Sequence, residues 1–599
     1  MNSMLEKLKP YIAEGKKLKK SLKQIIGSGL TVSLLSLSVC GAAFAAETPV
    51  TDTAASAPGA TPAAPSKNLI VLIGDGMGPA EVTAARYYSK KFLNKPHLEL
   101  DGGYYVGKAT TYSEPSPYTT ESGAVTDSAA AGTAFSTGNK TYNNAISVSN
   151  GDVAKPYGSV IEAAMLQGKA TGVVSTDNIT GATPAVWASH VRQRSNQNAI
   201  ASQYLTSGLD VIFGGGKINF TTKEEKGKRT DKNIIPDYEA AGFKTAFDKK
   251  GLDAIPATAG KALGLFAGAE IPYVLDRDEN TPSLPQMTQK ALDILSQNKD
   301  GFVLMVEQGR IDHAGHANDL PANIQELLEL DATFKTLVDF AKKDGNTSVV
   351  VTADHETGGL TLGINNVYEL NVDLFNKEKH SYEYLDGILK NAKTADDIRQ
   401  IVADNTGFTD LTDDEVALIM NGDGSSYGRA GGYNAVISKR LAIGWTGHGH
   451  TGVDVGVWAY GPIASLVKGD VDNTDIAKSG AKVIGADLAA ATKQLQDKFI
   501  YPMFKVTRDN QTLFTAKALA EALDIKVAWD DATKTVTLAK DNNTVSVLVE
   551  TGAVTVNGAE STLKGNIDNG KLYLPLEAFN KLTGKNFTWD SFNERIVKN

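Results

Sequence analysis

The chain has 599 residues, 42% hydrophobic and 22% charged, with one cysteine and a formal net charge of −9. That length exceeds one ordinary core and predicts two or more domains. A single cysteine excludes an intrachain disulfide and a thiolate metal site, so any metal must be held by His, Asp and Glu. The acidic balance excludes a general nucleic-acid-binding surface, which needs a basic face.

The N-terminus reads as an address. Lysines 7, 9, 16, 17, 19, 20 and 23 precede an apolar run from Ile25 to Ala46 that closes on Ala43-Phe44-Ala45. A basic stretch, an apolar run and a small-x-small ending predict a signal peptide over 1–45 and an exported, secreted or cell-surface protein. Uncleaved, the same run would serve as an anchor. Cleavage would remove Cys40 and leave a cysteine-free, more acidic chain. Residues 46–66 are Ala, Thr, Pro and Ser with almost no large apolar side chain, a linker composition.

From Lys67 the texture changes. Leu69 to Ile73 is a continuous apolar run bounded by glycine, the mark of a strand buried on both faces. Similar runs recur at Ala170–Ser175, Gly301–Val306, Ser348–Thr352 and Val453–Tyr460, with helical patterns between them at Val160–Gln167, Leu284–Gln297 and Pro321–Lys342. Strands alternating with helices predict an α/β domain with a largely parallel sheet, extending to about residue 497. In such sheets chemistry sits at the carboxyl ends of strands, where Asp75, Glu307 and Asp354 fall. Residues 376–440, helical and charged, read as an insertion over the sheet. From 500 to 599 a weak repeat aligns 513–530 with 573–590, matching Trp529 with Trp589, and predicts a small α+β domain with internal pseudo-symmetry.

Five of the eight histidines fall in three short segments: His313 and His316, His355, and His448 and His450. Carboxylates Glu307, Asp312 and Asp354 stand beside them. Mixed His and carboxylate sets suit zinc, and all-oxygen sets suit magnesium. Asp312 and His316 are four apart, on one face of a helical turn, able to share one ion. Ser128 precedes small residues that start a helix, where backbone N–H groups favour a phosphate; an N-capping serine would give the same pattern.

The segments GDGMG, VTDSAAAGTA, ATPAVWASHVRQR, VEQGRIDHAGH, TADHETGG and HTGVDV, in that order, resemble the bacterial type of alkaline phosphatase over roughly residues 67–497. The resemblance implies a three-layer α/β sandwich with a central, mostly parallel sheet. It implies two zinc ions and one magnesium: Asp312, His316 and His450 at the first zinc, Asp75, Asp354 and His355 at the second, and Glu307 and Thr183, with Asp75 bridging, at the magnesium. It makes Ser128 the nucleophile that becomes a phosphoserine, Arg194 the phosphate clamp, small phosphate monoesters the substrates, and a homodimer the expected assembly. Gly181 falls where relatives carry Asp or His acting on the third metal through water, so that site is altered here, with Asp177 and Asn178 the nearby groups that could compensate. His313 falls where relatives carry Lys or His, and His448 reads as a loop neighbour of His450.

The last hundred residues resemble the domain named after the copper amine oxidase N-terminus, through Leu574-Pro575-Leu576 and Trp589-Asp590. They hold no His and no Cys, which opposes copper binding, and read as an accessory module for cell-surface association. Two other functions stay open on the sequence: a phosphodiesterase, sulfatase or mutase of the same superfamily, and a surface binding protein with a decayed enzyme domain. Ser128 is followed by three alanines, which does not fit the sulfatase pattern.

Overall fold

Seven consecutive residues of the first strand, β1 (Asn68–Gly74), are buried, as a strand covered on both faces requires. It lies inside a ten-stranded sheet of the computed structural model, which describes residues 65–599 apart from Pro117 and Val367. The signal peptide read at 1–45 and nearly all of the linker read at 46–66 lie outside the described residues. The other sheet strands, in chain order, are β2 (Tyr105–Thr110), β3 (Ala170–Asn178), β4 (Val211–Gly215), β5 (Lys244–Ala246), β6 (Ala262–Leu265), β7 (Phe302–Gln308), β8 (Thr347–Thr352), β9 (Val455–Tyr460) and β10 (Gly469–Asp472). Their spatial order is β10-β2-β9-β8-β1-β7-β3-β4-β6-β5. Every neighbouring pair is parallel except the two that β9 makes, with β2 and β8.

Helices cover both faces. We label the relevant ones α1 (Pro79–Phe92), α2 (Ser128–Thr137), α3 (Leu284–Leu295), α4 (Arg310–His316), α5 (Leu320–Asp344) and α6 (Thr474–Ile484). Alternation along β1 separates the layers. A Cβ at Gly74 would meet Leu330 of α5 at 2.8 Å, whereas a Cβ at Gly480 of α6 would meet the Leu69 side chain at 2.9 Å. Leu69 and Gly74 are five apart and therefore face opposite sides of the sheet. α1 and α3 pack with α5 on one face, and α2 packs with α6 on the other. The result is a three-layer α/β sandwich.

The stretch read as an insertion forms four helices, Tyr382–Leu389, Ala395–Thr406, Asp413–Asn421 and Gly428–Leu441, with a core of their own around Leu385, Ile398, Ile419 and Tyr433. That core includes Ala84 of α1 and Ile324 of α5, so the lobe sits on the outer helix layer.

The C-terminal part is rich in strands and has a separate core built on Phe514, Leu519, Val545, Leu574 and Phe579. Its two aligned stretches each run strand, helix, strand, from Gln511 to Asp530 and from Lys571 to Asp590. The strands Gln511–Thr515 and Lys571–Pro575 pair with each other, but the segments that follow go to different sheets. Strand Phe499–Pro502 joins this part to the α/β domain: it pairs with Arg595–Lys598 on one side and with Val153–Ala154 on the other. The Arg192 guanidinium donates to the Tyr501 carbonyl across the same seam, at 3.0 Å.

Candidate active site and metal centre

Three adjacent parallel strands, β8, β1 and β7, deliver three carboxylates to one end of the sheet. Asp75 follows β1, Glu307 is the last residue but one of β7, and Asp354 lies two residues beyond β8. Thr183 follows β3 and donates its hydroxyl to Asp75 Oδ2 at 3.4 Å. The helix α4, entered directly from β7, places Asp312 and His316 one turn apart, 3.3 Å from Oδ2 to Nε2. His450 arrives from the short strand before β9, its Nε2 3.6 Å from Asp312 Oδ1 and 3.2 Å from His316 Nε2.

The side chains fall into two groups with converging ligand atoms: Asp312, His316 and His450, and Asp75, Asp354 and His355. Each histidine is turned by a bond at Nδ1. His316 Nδ1 donates to the His448 carbonyl at 2.5 Å, His450 Nδ1 to the Thr126 carbonyl at 2.8 Å, and His355 Nδ1 to the Thr357 hydroxyl at 3.2 Å. In the neutral imidazole a donor role at Nδ1 makes Nε2 the lone-pair nitrogen, the form a metal takes. His355 Nε2 then faces Asp354 Oδ2 at 3.0 Å, Asp75 Oδ1 at 3.6 Å and Ser128 Oγ at 3.2 Å.

Ser128 is the first residue of α2 and is not its cap. Asp127 caps the helix, accepting from the Ala130 N–H at 2.9 Å, which leaves the Ser128 hydroxyl free of that duty. The other Asp127 oxygen accepts from the Asn144 N–H at 3.0 Å and from Arg194 Nη1 at 3.2 Å. One carboxylate thus fixes the helix start and the guanidinium together. Among the described residues, no other guanidinium nitrogen of Arg194 has a protein partner, which leaves the rest of the fork for a ligand.

The donor set fits dications. Asp75 Oδ1, Asp354 Oδ2 and Glu307 Oε1 are buried and, among the described residues, have no hydrogen-bond partner. Burial pushes Asp75 well above the usual carboxylate range, and repulsion from Asp354, Asp312 and Glu307 adds to it. Burial and then Asp177 push Glu307 up to about 8. Asp312 is also pushed up by burial, but His316, His450 and His355 outweigh this and hold it low. Four buried carboxylates so close together cannot all ionise without compensating positive charge, and the three nearby imidazoles are better used as neutral ligands.

Every site residue read from the sequence, Asp75, Ser128, Thr183, Arg194, Glu307, Asp312, His316, Asp354, His355 and His450, comes to this one end of the sheet. Three further residues belong beside them. Asp127, next to Ser128 in the chain, caps α2 and holds Arg194. Thr357 sits two residues after His355, and its hydroxyl also donates to Asp312 Oδ1 at 2.5 Å, linking the two groups. His448, read as a loop neighbour, braces His316 from both sides: its carbonyl accepts from Nδ1, and its own Nδ1 lies 2.7 Å from the His316 carbonyl.

Residues 66–485 match the alkaline phosphatase family model, and residues 497–597 match that of the copper amine oxidase N-terminal domain. The chain is 40% identical over 438 residues to alkaline phosphatase 3 of Bacillus subtilis, covering 70% of this chain and 89% of that protein. It is similar to the crystal structure of the Thermus thermophilus alkaline phosphatase, with 30% identity and a TM-score of 0.64, over 74% of this chain and 96% of that one. A variant of the TAB5 alkaline phosphatase, solved with Mg bound in its M3 site, is 28% identical with a TM-score of 0.52, over 71% of this chain and 99% of that one. Taken with the paired ligand groups and the serine that opens α2, these likenesses place the chain in the alkaline phosphatase family, an enzyme with a C-terminal domain of the copper amine oxidase N-terminal type.

Proposed function

We propose that the chain is an exported phosphomonoesterase that transfers the phosphoryl group of small phosphate monoesters to Ser128 and then to water. Asp312, His316 and His450 would hold one zinc ion, and Asp75, Asp354 and His355 a second beside Ser128. Thr183 and Glu307 would hold a magnesium ion with Asp75. The observation that carries this reading is the Ser128 hydroxyl 3.2 Å from His355 Nε2, at the edge of a buried carboxylate cluster with unpartnered oxygens. Bound there, the dications would favour the ionised serine oxygen and offset charge on the departing one.

The protein's own groups do the rest. Ser128 Oγ attacks phosphorus as the ester oxygen leaves, giving an alcohol and phosphoserine; water then cleaves the phosphoserine, releasing phosphate and restoring the hydroxyl. The first N–H groups of α2 and its dipole favour the anion. Arg194, steadied by Asp127, offers paired N–H groups to the oxygens not being displaced. A monoester keeps those oxygens free, which favours it over a diester. Export is supported by the basic and apolar leader, and among the described residues no helix is long and apolar enough to cross a membrane.

The test is phosphate release from an aryl monoester with zinc and magnesium supplied. Ser128→Ala should lower turnover by at least about a thousandfold, the scale of losing an essential nucleophile, and the wild type should yield a phosphorylated Ser128 peptide after acid quench. Full turnover by Ser128→Ala would overturn the proposal.

A further inference from the structure

Asp177 lies just beyond the cluster described above and has no role in it so far. It sits near the end of β3, where the register against β4 shifts between Val174 and Asn178. Its side chain is 15% exposed, and Oδ1 is buried with no hydrogen-bond partner among the described residues. Two glycines make room for it. A Cβ at Gly181 would lie 2.7 Å from Asp177 Oδ2, and a Cβ at Gly309 would lie 2.7 Å from Asp177 Cβ. The same added atom at Gly309 would be 3.4 Å from Glu307 Cδ, so the two carboxylates flank one glycine. Ser175 ties them further: it accepts the Asp177 N–H at 2.8 Å and donates to Glu307 Oε2. That leaves Oε1 of Glu307, a residue only 1% exposed, without a hydrogen-bond partner among the described residues.

Among the described residues no cationic side chain hydrogen-bonds to Asp177 or Glu307, and Arg310 and Arg194 act on Asp177 only through charge at longer range. Arg194 is engaged by Asp127, and Arg310 by Glu383 and by His313 Nδ1. His313 therefore presents its Nε2–H toward Asp177, but at 3.9 Å, beyond a direct hydrogen bond. Two adjacent buried carboxylates with unpartnered oxygens and a nearby hydroxyl, Thr183, form an all-oxygen set of the kind a hard dication takes.

We propose that Asp177 is a carboxylate of the third cation site, with Glu307, Thr183 and Asp75, and that Gly181 and Gly309 are the positions that admit it. This rests on the magnesium site of the proposed function. The carboxylate would bind the cation or order its water from the side where residue 181 has no side chain.

The test is equilibrium dialysis of the zinc-loaded full chain against Mg2+, with both metals counted by mass spectrometry. Asp177→Asn should bind Mg2+ about tenfold or more weakly with zinc content unchanged, the usual scale for a group that tunes a metal site. Gly181→Ala, which keeps the carboxylate but crowds it, should weaken Mg2+ in the same direction, and should add no further loss in the Asp177→Asn background. Wild-type Mg2+ affinity in Asp177→Asn would overturn the inference and leave the magnesium site standing. A wild type that takes up no Mg2+ beyond its zinc would overturn the magnesium site itself. Loss of zinc together with Mg2+ in Asp177→Asn would assign the residue to the integrity of the whole centre and also overturn it.

Discussion

Thr357→Val tests whether the two ligand groups are coupled through one hydroxyl. Thr357 is fully buried, donates to Asp312 Oδ1 at 2.5 Å and meets His355 Nδ1 at 3.2 Å. Valine keeps the branched shape and removes only the polar atom. A Cβ on the neighbouring Gly76 would lie 2.8 Å from Thr357 Oγ1, so the backbone packs close to this hydroxyl, and the valine methyl takes the place the hydroxyl leaves. A hydrogen bond to a charged group contributes about 1.5–3 kcal/mol, and a neutral one about 0.5–1.5 kcal/mol. At about 1.4 kcal/mol per tenfold, the zinc proposed for the Asp312 group should be held roughly ten- to a hundredfold more weakly, and that proposed for the His355 group up to about tenfold. The assay is zinc release against a competing chelator, followed by turnover of an aryl monoester at saturating zinc. Both ions should leave at lower chelator concentration than in wild type, and Thr357→Ser should restore most of the difference. Release at the wild-type chelator concentration, or a change at one ion alone, would refute the coupling.

Two further outcomes follow from the geometry. Asp127→Ala removes the α2 cap, about 1 kcal/mol, and frees Arg194. KM for a monoester and the inhibition constant for phosphate should rise together, by about tenfold, with zinc content unchanged; a fall in kcat alone would count against the clamp. Glu326 is fully buried in α5, and burial raises it to about 7, with Arg277 opposing and Glu329 adding. Its folded value lies above the ordinary 4.5, so its contribution is most favourable below about pH 4.5 and is lost as pH rises through 7. Glu326→Gln cannot ionise. Its melting temperature should match wild type near pH 4 and exceed it by pH 8–9, with a ceiling of about 3 kcal/mol. A pH-independent difference would refute this.

The fold was legible where burial on both faces leaves a continuous apolar run, as in β1, β7 and β8. It was not legible at the sheet margins. β5 is three residues long, and β2 is half-exposed with a glycine in its middle. Gly107 carries no pattern because its task is close approach: a Cβ there would lie 1.9 Å from the Gly469 carbonyl oxygen on β10. The reversed direction of β9 was also hidden, since side-chain alternation is the same in both directions.

The site divides along a similar line. Ligand types and their order can be read from sequence because only a few side chains bind dications. The groups that aim those ligands are often backbone, and every residue has a carbonyl. His316 and His450 are fixed by the carbonyls of His448 and Thr126, positions whose side-chain identity says nothing of that role. Asp127 and Arg194 are 67 residues apart and meet because the loop bringing Asn144 back to α2 also brings Arg194, whose own N–H donates to the Asn144 carbonyl at 2.9 Å. Such partners are a property of chain path. Asp177 is the intermediate case. It is a ligand-type side chain, but its place is set by what Gly181 and Gly309 lack, and only the distances in the folded chain show that the room they leave is filled.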